Sequence, residues 1–514
     1  MATWEELGNA AKMLNLNRIE PRDYQINIAK SILTGHNSLV VLPTGLGKTL
    51  IAVIAIAETL SKGKKAILLA PTKPLSEQHY QSLSGLLNIE KDKILLLTGS
   101  LGVKMRSQME ADAKVIVATP QTLSNDLRMG RMKIEDFGIV IFDECHRAVG
   151  RYAYTYIADE CNLHSVQLVG LTASPGSNKK RINALISALG IDNIEMRKST
   201  DYDVAQYVMD KSTTAIYVQK DALMTEMLSS LKAIIDEHLS KLNKHGLSQF
   251  SSYDNVPKGR ILQIGDNISK LQSSNYKYMA MFNYVYLLNL SHAYDLLSTE
   301  GFYSFYSYMD SLKQRDVKSR ALLSILGNET VIKLMERAKE ALDNGIEHPK
   351  IFKIIELIIN ELKGKTVIIF AQYRSTIKKI VELLNQYGIS AKAFVGKKEG
   401  VTHEGQKAVI ESFRRGEFSA LVATSIGEEG LDIPSVDAVI FYEPIPNEIR
   451  NIQRRGRAGR IKYGEVYILI TRGTKDEIYF MISRTREKRM YELLTEAVES
   501  ARSRMNNRQS RLRP

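Results

Sequence analysis

The stretch SLVVLPTGLGKTLIAV runs from Ser38 to Val53: an apolar run stops at a proline, two glycines follow, and a second apolar run opens after Lys48 and Thr49. A continuous apolar run suits a strand buried on both faces, and such strands belong to parallel sheets covered by helices. The bend has the composition of a phosphate cradle. Glycines let backbone N–H groups turn inward, and a helix that starts at the lysine adds partial positive charge. In this reading Pro43, Thr44, Gly45, Leu46 and Gly47 form the loop, Lys48 reaches the β- and γ-phosphates, and the Thr49 hydroxyl holds Mg²⁺. The general G-x-x-x-x-G-K-[ST] pattern finds Leu42 at its first glycine, so Gly45 and Gly47 supply the permissive backbone.

Outward from this bend, similar runs recur as KAILLAPT, KILLLTG, KVIVATP, FGIVIFDE and SVQLVGLTAS, separated by amphipathic stretches. Each ends in a Pro, Gly, Thr or Asp, at the carboxyl ends of strands where open α/β sheets bind ligands. A second set follows Pro349: TVIIFAQ, SAKAFVG, SALVATS, VDAVIFYEP and EVYILIT. The chain is therefore expected to be α/β, with two parallel-sheet domains and a large all-helical insert between them. The expected boundaries are 1–198, 199–347 for the insert, 348–490, and a frayed basic tail over 491–514. The insert's crowded aromatics, among them Tyr278, Tyr286, Phe302 and Phe305, read as helix-packing core, with a base-stacking surface as the alternative.

FGIVIFDECH places Asp143 and Glu144 after a buried strand, where a Mg²⁺-binding acid and a water-polarising carboxylate belong. A chance acidic turn is the bland alternative, and the phosphate loop on the same sheet edge argues against it. QRRGRAGR, from Gln453 to Arg460, offers planar guanidiniums with glycines between them. A solvated basic helix face would not explain those glycines. An arginine from a second domain can stabilise charge on a transferring phosphoryl group only when the domains close.

Length and charge set the outer limits. A chain of 514 residues is too long for one core, and 44% hydrophobic with 25% charged residues is ordinary globular composition. The net charge of +13 attracts polyanions, nucleic acid foremost. Cys145 and Cys161 are too few for a disulfide framework, and the acids just before Cys145, Asp143 and Glu144, blunt its thiol. No apolar stretch approaches a membrane span of about 20 residues, and the start MATWEELGNAAKML lacks the basic end of a signal peptide. No membrane partner and a cytoplasmic, nucleoid-associated location are expected.

The motifs PRDYQ, LPTGLGKT, APTKPLSEQH, TPQTL, DECH, LTASP, VIIFAQYR, ATSIGEEGLDIP and QRRGRAGR occur in this order and resemble a superfamily 2 helicase. DECH, LTASP, the run through QRRGRAGR and the insert segment SHAYDLLSTEGFYSFYSYM, Ser291 to Met309, are similar to the Hef/FANCM type, archaeal and eukaryotic enzymes that remodel forked and branched DNA. The resemblance implies two RecA-like domains, ATP and Mg²⁺ as cofactors, and forked or branched DNA as partner, with a sliding clamp or a separate nuclease as further partners. An ATP-gated clamp without unwinding, or a duplex-RNA-stimulated ATPase of the Dicer or RIG-I type, are the other readings.

Carried over by motif, Gln25 matches an adenine-reading glutamine with Arg22 beside it, and Lys48, Asp143, Glu144 and His146 match the hydrolytic set. Thr172, Ser174 and Gln453 match coupling positions, Gly430 and Asp432 a second-domain nucleotide contact, and Arg457 and Arg460 the arginine fingers. Thr72, Lys73, Thr119, Pro120, Gln372, Arg374, Thr424 and Gly427 match a track along the nucleic-acid backbone, where little sequence is read. Two departures stand out. FVGKKEGVTHEGQKA has Lys397 at a usual glutamine, which bears on a local strand contact and not on the ATPase. No E-R-K-x-x-x-D-like cluster precedes Pro514, so the form expected is an archaeal Hef-like helicase without the XPF-type nuclease, whether by lineage or because the chain was cut.

Overall fold

The computed structural model describes residues 3–20, 22–43, 46–99, 112–150, 152–198, 201–205, 213–395, 403–424, 436–444 and 465–511. Seven strands make the first sheet: β1 Ser38–Val41, β2 Lys65–Leu69, β3 Ile94–Leu97, β4 Val115–Ala118, β5 Phe137–Asp143, β6 Gln167–Thr172 and β7 Asn193–Met196. Their order is β3-β4-β2-β5-β6-β1-β7, and every pair is parallel. Side chains alternate between two cores. Leu39 and Val41 enter one with Phe142 and Leu168, while Val40 and Leu42 enter the other with Ile51 and Ile141. Both faces are thus dry, which is why β1 carries no polar alternation.

Six strands make the second sheet: β8 Thr213–Val218, β9 Val367–Phe370, β10 Ala391–Phe394, β11 Ala420–Ala423, β12 Ala438–Phe441 and β13 Glu465–Thr471, in the order β10-β11-β9-β12-β13-β8. Its pairs are also all parallel. Strand β8 lies inside the stretch 199–347 that reads as helical, and pairs with β13 over its whole length. It is an edge strand whose residues are mostly not buried, so TTAIYV lacks the apolar run that marks a central strand. The chain therefore enters the second lobe before it leaves for the insert.

The insert comprises helices Ala222–Lys244, Lys258–Ser269, Asn275–Thr299, Phe302–Lys313, Arg320–Leu326 and Glu329–Asp343. Tyr286, Phe302 and Phe305 are buried in its core, and Phe282, Tyr284, Tyr294, Tyr306 and Tyr308 pack against it. Packing thus accounts for most of the aromatic cluster, with Tyr278 left 69% exposed. The stretch 491–514, read as a frayed tail, is through Arg511 the second half of the helix Lys475–Arg511. Met490 and Leu494 of that helix are fully buried in the first lobe's core. Among the described residues no helix is long and apolar enough to cross a membrane.

A buried polar joint fastens the insert to the second lobe. The Glu347 carboxylate accepts the amides of Phe302 at 2.6 Å, Tyr303 at 2.9 Å and His348 at 2.8 Å, so it caps the helix Phe302–Lys313 from another segment. Gly301 makes the approach possible: its φ is +112°, and a Cβ there would stand 2.1 Å from Glu347 Oε1. Burial pushes Glu347 up to about 7 despite those three amides, and pushes His348 down to about 3. Glu300 accepts the Thr376 hydroxyl at 2.7 Å. Lys350, fully buried, pairs with Asp476 at 2.5 Å and donates to the Thr299 carbonyl at 3.1 Å.

Replacing Lys350 by Met alone strands the Asp476 charge in the interior and should cost about 3–5 kcal/mol in chemical denaturation. The double change Lys350→Met with Asp476→Asn, which removes the charge but keeps an acceptor for the Thr471 amide, should recover most of that loss. Cys145 and Cys161 are both fully buried, and burial pushes both thiols up. A thiol reagent such as iodoacetamide should label neither in the native protein and both after unfolding, read by mass spectrometry.

Candidate active site

Parallel register brings the motifs to one edge. Val41 of β1 stands opposite Thr172 of β6, and Leu171 of β6 opposite Asp143 of β5. The Leu42 amide donates to the Thr172 carbonyl at 3.1 Å, so the loop after β1 starts in contact with the segment after β6. Gly47, with φ +72° in the left-handed region, caps the helix Lys48–Ser61. Its missing Cβ is needed a second time, because Gln25 Nε2 would lie 2.3 Å from it.

The loop is gripped from both sides. Gln25 Nε2 and the Tyr24 hydroxyl both donate to the Leu46 carbonyl, at 3.1 and 2.8 Å, and Arg22 donates to that hydroxyl at 3.3 Å. Gln25 is 3% exposed, and its Oε1 has no partner among the described residues. Lys48 Nζ donates back to the carbonyls of Leu42 at 2.9 Å and Pro43 at 3.5 Å, so the lysine folds back on the end of β1. Thr49 is the second residue of the helix. Thr44 and Gly45 lie outside the described residues.

Asp143 ends β5 with its carboxylate held at both oxygens. His79 Nε2 donates to Oδ2 at 2.8 Å, and the Glu144 amide donates to Oδ1 at 3.0 Å. The Tyr154 hydroxyl donates to the Asp143 carbonyl at 2.7 Å, fixing the strand end itself. Burial pushes the Asp143 carboxyl up, but His79, Lys48 and the Glu144 amide together hold it below its ordinary value. It is therefore ionised, as a cation ligand must be. Among the described residues no cluster of three or more His, Cys, Asp or Glu could enclose a metal ion. Mg²⁺ does not require one, since it is usually held by one or two carboxylates together with substrate phosphates and water. The donor set of Asp143 and Thr49 fits that chemistry.

Glu144 has φ 50° and ψ 45°, a left-handed conformation uncommon for a residue with a Cβ. That turn sends the chain straight back toward β6. His146 Nδ1 lies 3.2 Å from Glu144 Oε2 and 3.1 Å from Thr172 Oγ1. Thr172 Oγ1 accepts the Ser174 amide at 3.1 Å, and Ser174 Oγ donates to Met490 Sδ at 2.8 Å. Hydrogen bonds thus run from His146 through Thr172 and Ser174 to the helix that comes from the second lobe, while Glu144 Oε2 lies beside His146 without a hydrogen-bond partner among the described residues.

Of the track positions, Thr72 caps the helix Lys73–Leu86 and Thr119 caps the helix Pro120–Arg128. Both follow neighbouring strands at the same edge, where Leu69 stands opposite Ala118. In the second lobe Gln372 and Arg374 follow β9 and Thr424 follows β11, an adjacent strand. Thr424 is buried, and its hydroxyl has no partner among the described residues. Gly427, Gly430, Asp432, Gln453, Arg457 and Arg460 lie outside the described residues. Sequence reasoning did not single out Tyr24, His79 or Tyr154. Each belongs to or follows a quoted motif, but only the packing shows which helix face meets the strand ends.

Residues 22–182 match the DEAD/DEAH box helicase family, and residues 349–462 match the helicase conserved C-terminal domain. The crystal structure of the Pyrococcus furiosus Hef helicase domain superposes with a TM-score of 0.74 at 41% identity, covering 92% of this chain and 100% of that one. MJ1505 of Methanocaldococcus jannaschii, provisionally designated an ATP-dependent RNA helicase, is 38% identical over 488 residues, 93% of this chain and 61% of that protein. The ATP-dependent DNA helicase mph1 of Neurospora crassa is 31% identical over 502 residues, 92% of this chain and 43% of that protein. The chain thus spans less than two thirds of either curated relative. Its likeness to the Hef domain runs that domain's full length, through both sheets and the helical insert, and the chain belongs to the Hef/FANCM-type superfamily 2 helicases.

Proposed function

We propose that the chain is an ATP-dependent DNA helicase or translocase acting on forked or branched DNA. The observation that carries this reading is the shared edge of β1, β5 and β6, with Lys48, Asp143, Glu144 and Thr172 gathered there. Gln25 Oε1, a buried acceptor without a partner among the described residues, suits the exocyclic amine of adenine. Lys48 exchanges its loop carbonyls for the β- and γ-phosphates, with Pro43, Thr44, Gly45, Leu46 and Gly47 as the cradle. Bound Mg²⁺ neutralises phosphate charge and templates its oxygens, and Thr49 and Asp143 are the residues that would hold it. Glu144 orients the attacking water as general base, and His146 aligns Glu144 from the side of Thr172.

Arg457 and Arg460, with Gly430 and Asp432, contact the nucleotide from the second lobe only when the lobes close, so ATP favours the closed state. Loss of the γ-phosphate removes that preference. Thr72, Lys73, Thr119, Pro120, Gln372, Arg374, Thr424 and Gly427 hold a strand by its backbone, while Thr172, Ser174 and Gln453 link it to the nucleotide. The insert, fastened to the second lobe by Glu347 and Lys350, holds the duplex arm of the junction and moves with that lobe. The N. crassa relative's name supports DNA as the polymer, whereas that of the M. jannaschii relative favours RNA. A sliding clamp or a separate nuclease is the partner class this role calls for, in the cytoplasm beside the nucleoid.

Strand displacement on a forked DNA duplex and on an RNA duplex of equal length tests the reading. ATP-dependent opening of the DNA fork is expected. DNA binding gated by ATP without opening would favour a clamp, and opening of RNA alone would favour the RNA-directed reading. Glu144→Gln should keep nucleotide affinity while turnover falls by about 10²–10⁴-fold. Turnover within twofold of the unaltered protein would remove Glu144 from the role of base.

A further inference from the structure

His79 belongs to none of the roles above, yet it makes the most direct side-chain contact with Asp143. It lies on the helix Lys73–Leu86, whose first residues are the track candidates Thr72 and Lys73. It is 6% exposed, Nε2 donates to Asp143 Oδ2 at 2.8 Å, and Nδ1 is buried without a partner among the described residues. A purely packing role does not explain this choice. Leu83, one turn further along, fills the same helix's interior with a fully apolar side chain. A ring with one unsatisfied nitrogen is a costly filler, so its value lies in the bond the other nitrogen makes.

That bond decides how the Asp143 carboxylate is turned. The Glu144 amide holds Oδ1 from within the same strand end, and His79 alone among the described residues holds Oδ2 from another element. Without His79 the carboxylate can rotate about its own bonds. The helix that carries the imidazole begins directly after Thr72. Its capping carbonyl, that of Thr72, accepts both the Ser76 amide at 3.0 Å and the Ser76 hydroxyl at 3.1 Å. The Thr72 hydroxyl is itself buried with no partner among the described residues. From Lys73 to His79 is under two helical turns, about 9 Å along the axis. A small shift of the helix start therefore moves the imidazole as part of one rigid rod.

We infer that His79 is a positioning residue that sets the Asp143 carboxylate for Mg²⁺ and makes that setting respond to strand contact at Thr72 and Lys73. The inference rests on the nucleotide and strand roles proposed above. It provides a second route between strand and nucleotide, separate from the path through His146, Thr172 and Ser174.

The test is the Mg²⁺ concentration at half-maximal binding of a fluorescent ATP analogue, measured with and without forked DNA. In the unaltered protein forked DNA should lower that midpoint about fivefold or more. His79→Leu should raise the midpoint by about tenfold or more, the scale seen when a ligand's outer partner is lost, and abolish the response to DNA. His79→Gln, whose amide can still donate, should restore both. His79→Asn, a bond too short to reach, should behave as His79→Leu and serves if the leucine variant does not fold. A His79→Leu midpoint equal to the unaltered one, or one still lowered in full by DNA, would overturn the inference. So would an unaltered protein whose midpoint ignores forked DNA. ATP turnover read in the same samples keeps the two proposals apart: its absence on forked DNA would remove the helicase reading while the midpoint comparison stands.

Discussion

The parallel register of β5, β6 and β1 is the constraint on which the rest depends. Because Val41 faces Thr172 and Leu171 faces Asp143, three segments distant in sequence end at one level of one sheet. The contacts that join these segments are short because of that alignment. The Leu42 amide reaches the Thr172 carbonyl, and His146, just past the end of β5, reaches the Thr172 hydroxyl. The alignment is maintained by burial on two faces. A shift of one residue in β1 would exchange Leu39 and Val41 for Val40 and Leu42 between the two cores.

A second consequence concerns how the lobes are joined. The helix Lys475–Arg511 begins beside the second sheet, where Asp476 accepts the Thr471 amide, and ends with Met490 and Leu494 in the first lobe's core. Its contact with Ser174 falls on the segment that also carries Thr172. The insert, in turn, is bound to the second lobe by carboxylates that burial holds toward their protonated forms and by the fully buried Lys350. Groups so costly to desolvate persist only where their geometry is complete. These contacts fix the insert against the second lobe at one buried joint.

How much of this was legible in the sequence follows from burial. Central strands such as β1, β5 and β9 are dry on both faces, so they appear as unbroken apolar runs and were read correctly. The edge strands β7 and β8 are half wetted, and their sequences NIEM and TTAIYV carry no such signal. Met490 and Leu494 were lost among the charges of a helix whose overall character is polar. At the site, residue type and spacing pointed to Lys48, Asp143 and Glu144, and the family resemblance to Thr172. The partners that hold them in place, Tyr24, His79 and Tyr154, make long-range contacts that no local pattern encodes.

The central claim is that cleavage of ATP at the first sheet's edge is tied to a branched polynucleotide. Its most direct test is the steady-state ATPase rate with single-stranded DNA, duplex DNA, a fork, a four-way junction and duplex RNA, all at one salt concentration because phosphate contacts make every affinity salt-dependent. The account predicts the highest turnover with the fork or the four-way junction and little without polynucleotide. Equal turnover with and without DNA, or stimulation by duplex RNA alone, would contradict it.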